Sequence, residues 1–135
     1  MTRNGPDDAI GGISEARAIE GLLAFAQRGP RWGGRALKTV NMAIERSRAL
    51  SEEFPGAHTE LLTRSLLAAA RLHLKRGRAT EALPLAEEAV EISRAAGGGP
   101  LVVSLNWLAT ILEALHRYSE AAATIAEADE IKPPD

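Results

Sequence analysis

The stretch Ala43-Ile44-Glu45-Arg46-Ser47-Arg48-Ala49 returns 46 residues later as Ala89-Val90-Glu91-Ile92-Ser93-Arg94-Ala95, and that return decides the fold class. A weaker third copy, Ala128-Asp129-Glu130-Ile131-Lys132, follows after a further 39 residues. Each copy is preceded at one fixed distance by a small paired start: Ala36-Leu37, Ala82-Leu83 and Ala121-Ala122. Self-similarity at such periods marks a chain built of stacked supersecondary units, because no single unit can bury its own apolar face.

The segments ahead of these copies agree as well. Leu66, Ala69, Ala70 and His73 stand 39 residues before Leu105, Leu108, Ala109 and Leu112. Offsets of 3, 4 and 7 trace one face of an α-helix, so each unit reads as two helices joined by a tight turn. Turn signals separate them: Arg28-Gly29-Pro30, Arg76-Gly77-Arg78 and His116-Arg117-Tyr118 lie within the pairs, and Phe54-Pro55-Gly56 and Gly97-Gly98-Gly99-Pro100 between them. Ser119 and Thr80 are read as N-caps, each followed by an acid in the first turn. The predicted helices are 13–28, 34–53, 58–76, 80–96, 101–115 and 119–131, with residues 1–12 expected as a disordered N-terminal tail.

Composition supports helix over sheet, since alanine is abundant and aromatics make up only 4% of the 135 residues. The absence of cysteine excludes disulfides and thiolate metal sites. Residues 1–12 hold Asp7 and Asp8 and no apolar segment, and the longest apolar run, Leu66 to Ala70, is far too short to span a membrane. A cytoplasmic location is therefore expected. The net charge of −2 speaks against a general nucleic-acid binder, but the charge is uneven. Residues 100–135 carry two basic and six acidic side chains, which makes the C-terminal third acidic.

On these residues the chain resembles the tetratricopeptide repeat family, whose signature is W-x2-L-G-x2-Y…A-x3-F…P. The third unit has Leu105-x2-Leu108-Ala109-x2-Leu112, then Ala121-x3-Ile125, Ala128 and Pro133. The second has Leu66-x2-Ala69-Ala70-x2-His73, then Ala82-x3-Ala86 and Ala89. Phe25, Ala36, Val40 and Ala43 fit in the first, whose turn is about two residues longer. The small residues let paired helix backbones approach closely, where large ones would force them apart. The spacings exceed the family's usual period and look similar to long repeats in bacterial signalling and regulatory proteins. The resemblance covers about 13–133 and implies an all-α solenoid of three helix-turn-helix repeats, 13–54, 57–97 and 100–133, with about six antiparallel helices.

In the resembled family, the first helices of successive repeats line a concave groove that holds peptides. Carried over by pattern, that face comprises Ile19, Glu20 and Leu23, then Arg64, Leu67, Ala68, Arg71, Leu74 and Lys75, then Val103, Asn106, Trp107, Thr110 and Glu113. Arg64, Arg71 and Lys75 share one helix stripe at offsets 7 and 11, and tryptophan and arginine dominate binding hot spots. The core expected for the site is Arg64, Leu67, Arg71, Lys75, Val103, Asn106, Trp107 and Thr110. The plainer reading of Trp107 is packing between first helices. Arg28, Arg31, Arg35, Lys75, Arg76, Arg78 and Arg117 would line the turn edge, either as compensation of helix dipoles or as a contact strip for an acidic partner, a membrane surface or nucleic acid, the last the weakest because aromatics to stack on bases are nearly absent.

Catalytic chemistry finds little support. Gly97-Gly98-Gly99 leads into proline rather than a lysine with serine or threonine, so it reads as a turn and not a phosphate loop. His58, His73 and His116 lack ligand spacing, and His73 falls at an inter-helix packing position. No paired acid and base or nucleophile elbow appears. The expectation is a non-catalytic module without metal or cofactor that binds a protein or peptide segment. The alternative is a self-associating scaffold or a regulatory fragment of a larger signalling protein. Self-association would use the outer face of the last helix, Ala122, Ile125 and Ala126, directly before Pro133-Pro134-Asp135.

Overall fold

The structure, a computed structural model, describes the backbone of residues 6–28 and 34–131, with side chains placed from residue 11. Among these residues there are six helices and no strand: α1 (Pro6–Arg28), α2 (Gly34–Glu53), α3 (Thr59–Lys75), α4 (Ala79–Ala96), α5 (Gly98–Ala114) and α6 (Tyr118–Glu130). Five of the six lie within three residues of their predicted bounds. The first begins at Pro6 instead of residue 13, so residues 6–12, expected as tail, are helical as well. Proline followed by two acids is a helix-start signature that the sequence already displayed. Gly12 explains why the helix is useful there: it is buried, and a Cβ on it would stand 3.0 Å from the Phe54 ring.

The chain divides into two compact units, residues 1–65 and 66–135. In the first, α1 packs along α2. Ile19 and Leu23 are buried on α1, as are Ala36, Val40, Ala43, Ile44, Ser47 and Leu50 on α2. The α2 set follows offsets of 4, 7, 8, 11 and 14, a single apolar stripe at the helical period. Across its rim, Arg46 donates Nε and Nη2 to the two Glu15 carboxylate oxygens. Those hydrogen bonds, more than simple charge proximity, hold Glu15 below and Arg46 above their ordinary pKa values. Both side chains are over a third exposed, so the pair adds less than about 1 kcal/mol.

The second unit packs in two layers. Ala70, Ala82, Ala86 and Ile111 form one fully buried cluster, flanked by Leu74, Leu83, Leu108 and Leu115. Val90, Leu101, Leu105 and Ala128 form the other. Alanines at 70, 82, 86 and 109 leave almost no side chain between α3, α4 and α5, and the branched residues fill the gaps that remain.

Two turns in this unit are built alike. At the end of α3 the Arg78 N–H donates to the His73 carbonyl and the Gly77 N–H to Leu74. At the end of α5 the Arg117 N–H donates to Leu112 and the His116 N–H to Glu113. Both are Schellman closures with a left-handed residue, Gly77 at φ 75° and His116 at φ 61°. This geometry corrects the expected N-caps. Arg78 and Arg117 end one helix and start the next, so α4 opens at Ala79 and α6 at Tyr118, and Thr80 and Ser119 fall one residue inside. Neither arginine caps with its side chain, though Arg117 reaches forward to the Glu120 carboxylate. The third expected turn within a pair, around Gly29-Pro30, lies outside the described residues.

Candidate functional site

The candidate groove resolves into residues that meet and residues that do not. On α3, Arg71 and Lys75 are one turn apart. On α5, Val103, Asn106, Trp107 and Thr110 occupy offsets 0, 3, 4 and 7, one face of the helix. The two faces meet where the Arg71 guanidinium stacks on the Trp107 ring, 4.9 Å from its centroid. Arg71 and Trp107 are half-buried, whereas Lys75, Val103, Asn106 and Thr110 are exposed. A cation held over an indole and partly withdrawn from water is a favourable contact of about 1–2 kcal/mol. It also fixes two otherwise mobile side chains.

The Arg71 Nε is enclosed and has no hydrogen-bond partner among the described residues. What Arg71 can offer a partner are therefore its terminal N–H groups, since the Nε itself is closed off from solvent. Thr110 offers less, because its hydroxyl donates back to the Asn106 carbonyl at 3.0 Å. Two other predicted members already have partners. Leu67 is 7% exposed and belongs to the core, leaving almost no surface for a ligand. Arg64 lies in the first unit, exposed, with Nη1 donating to the Glu20 carboxylate at 3.3 Å.

Of the basic positions expected along a turn edge, Lys75, Arg76, Arg78 and Arg117 lie at helix ends of the second unit. Arg117 is engaged by Glu120, which weakens the strip as a binding surface. Arg31 lies outside the described residues. Between α3 and α4, His73 is half-buried with an enclosed, unpartnered Nδ1. Burial chiefly pushes its pKa down; Arg78 and Arg76 act the same way, and Glu81 opposes them. The imidazole is therefore neutral at pH 7, as suits a packing position.

Three features escaped the sequence reading. Ser47 and Ser65 share a hydrogen bond at 3.1 Å, and Ser93 and Ser104 another at 3.0 Å; all four are buried. Ser93 stands 46 residues after Ser47, and Ser104 39 after Ser65, so the repeat placed matched polar pairs inside its helix contacts. The third feature is an open concavity of about 410 Å³ on α2, lined by Gly34, Leu37, Lys38, Asn41, Met42 and Glu45. Its charges, one lysine and one glutamate, suggest no reaction.

On α6, Ala122, Ile125 and Ala126 are exposed, as the self-association reading requires of them. Among the described residues no group of histidine and carboxylate side chains could hold a metal ion, and no helix is long and apolar enough to cross a membrane. Comparison of the sequence with protein-family models and with curated proteins, and of the structure with solved structures, gives no match.

Proposed function

We propose that this chain is a non-catalytic binding module of the tetratricopeptide type, with its helix pairs stacked as three repeats and a segment of another protein lying along α3 and α5. The observation that carries this reading is the Arg71–Trp107 stack, with Val103, Asn106 and Thr110 exposed beside it. Trp107 supplies apolar contact area at low conformational cost. Arg71 supplies direction, since its terminal N–H groups donate only to suitably placed oxygens. Lys75 and Asn106 extend the polar rim. The repeat reading is supported by the paired Schellman turns and serine contacts at the 39- and 46-residue spacings. A cytoplasmic location goes with such a module.

Panning a displayed peptide library against the wild-type chain tests the reading. Peptides enriched on wild type should bind Trp107→Ala and Val103→Asp at least about tenfold more weakly, a loss of about 1.4 kcal/mol. Val103 is 50% exposed, so the second variant keeps the fold if the first does not. Equal binding by both variants, with helix content unchanged by circular dichroism, would remove this face from consideration.

A further inference from the structure

Within the second unit, α4 presents Ala79, Leu83, Ala86, Val90 and Ser93 to α5. The first three belong to the cluster that includes Ile111, Val90 shares a cluster with Leu101 and Leu105, and Ser93 hydrogen-bonds Ser104. Moving 39 residues along the chain, the same helix positions on α6 are Tyr118, Ala122, Ile125 and Asp129. These residues lie at offsets 0, 4, 7 and 11, a single stripe, and Ala126 widens it. On α4 the stripe is covered, with Ala86 fully buried. On α6 it is open, with Tyr118 60% and Ile125 38% exposed.

The change from Val90 to Asp129 decides what can cover the α6 stripe. Another helix of the α5 kind would lay leucines on the Asp129 carboxylate, and a charge buried against leucines without a partner is strongly disfavoured. An antiparallel copy of α6 meets no such conflict. With the two-fold axis between Ala122 and Ile125, Ala122 faces Ile125 of the partner subunit, small against large. Tyr118 then faces Asp129 of the partner subunit, and its phenol, which shares a 2.7 Å hydrogen bond with His116 Nδ1, donates to that carboxylate when the imidazole N–H is the donor in that bond. Glu127 points the other way, its carboxylate held by the Arg94 guanidinium on α4, but Asp129 and Glu130 in the last turn come beside the positive N-terminal end of the other helix.

We propose that α6 is a self-association face, on which two chains pair antiparallel and isologously through Tyr118, Ala122, Ile125 and Ala126, closed at each end by a Tyr118–Asp129 hydrogen bond. A helix of 13 residues is about 20 Å long. Its stripe falls short of the roughly 800 Å² per partner of a standard interface, so the dimer is a weak one.

Analytical ultracentrifugation of the full chain from about 10 μM to about 1 mM reads this directly. The mass should rise with concentration towards two chains and stop there. Ile125→Asp should stay a monomer throughout, with helix content unchanged. Asp129→Lys should raise the dissociation constant at least about tenfold, and adding Tyr118→Glu to the same chain should restore it, because those positions oppose each other only in the antiparallel register. A constant monomer mass, or association unaffected by Ile125→Asp, would overturn the proposal. So would masses growing beyond two chains, the mark of head-to-tail stacking. Failure of the double variant to restore pairing would refute the register.

Discussion

The helix pair α3–α4 and the helix pair α5–α6 are 39 residues apart and share one pattern, yet they sit in different surroundings. Both close their internal turn with the same two hydrogen bonds, and both bury alanines on the facing sides of their helices. They part on the outer side of the second helix. Ala86 and Val90 on α4 are covered by α5, whereas Ile125 and Asp129 on α6 stand open. A repeat thus carries two kinds of information: the inner residues make the pair, and the outer ones specify what comes next. The inner set is shared by both pairs; the outer set differs at each of its four positions, and at one of them the difference is a charge.

The sharpest way to break this comparison is to exchange that charge. Val90→Asp should cost about 3 kcal/mol or more, because the carboxylate would be buried among Leu101, Leu105 and Ala128 with no cation designed to meet it. The reverse change, Asp129→Val, should stay within about 0.5 kcal/mol in the monomer, as an exposed position allows. Urea unfolding of both variants measures the pair, and similar losses would show that the two outer faces are equivalent after all.

A smaller effect is expected at the turns. Gly77 and His116 occupy the same left-handed position, where any side chain costs energy and glycine does not. His116→Gly should therefore stabilise the chain by about 0.5–1 kcal/mol, part of the strain relief being offset by losing the 2.7 Å contact between His116 Nδ1 and the Tyr118 hydroxyl. Thermal unfolding at constant pH checks it, and a lower melting temperature would mean that this contact outweighs the strain.

The smallest expected effect separates His73 from its counterpart Leu112. The folded-state pKa of His73 lies below the unfolded value of 6.5, so its contribution is complete above that value. It is lost as pH falls from there through the folded pKa, since the unfolded chain takes up the proton more readily. Wild type should therefore lose stability relative to His73→Leu as pH falls below about 6.5, and the variant's profile should be flatter there. Parallel profiles would assign the loss to other groups.

Much of the architecture was legible because it depends on local periodicity. The recurrence of Ala43–Ala49 at Ala89–Ala95, with glycine and proline between, placed five helices nearly where they lie. α1 was started late because its opening is polar and glycine-containing, and the Phe54 ring that makes Gly12 useful is 42 residues away. The caps were misplaced at Thr80 and Ser119 because their chemistry was read without the preceding helix, whose closure consumes the residue between. In the candidate site, the stripes on α3 and α5 were visible as offsets, but Leu67 and Arg71 look equally available in one dimension. Only packing makes the first a core residue and sets the second on an indole.

By itself, then, the sequence determined that the chain is helical, where its helices turn, and which side of each is apolar, because those properties follow from the spacing of neighbours within a few residues. The tertiary structure alone decided which apolar stripes are covered. It also paired Ser93 with Ser104, set the Arg71 guanidinium on the Trp107 ring, and kept the α6 stripe open. Burial depends on what lies opposite in space. The same pattern of small and branched residues can therefore be core on α4 and surface on α6.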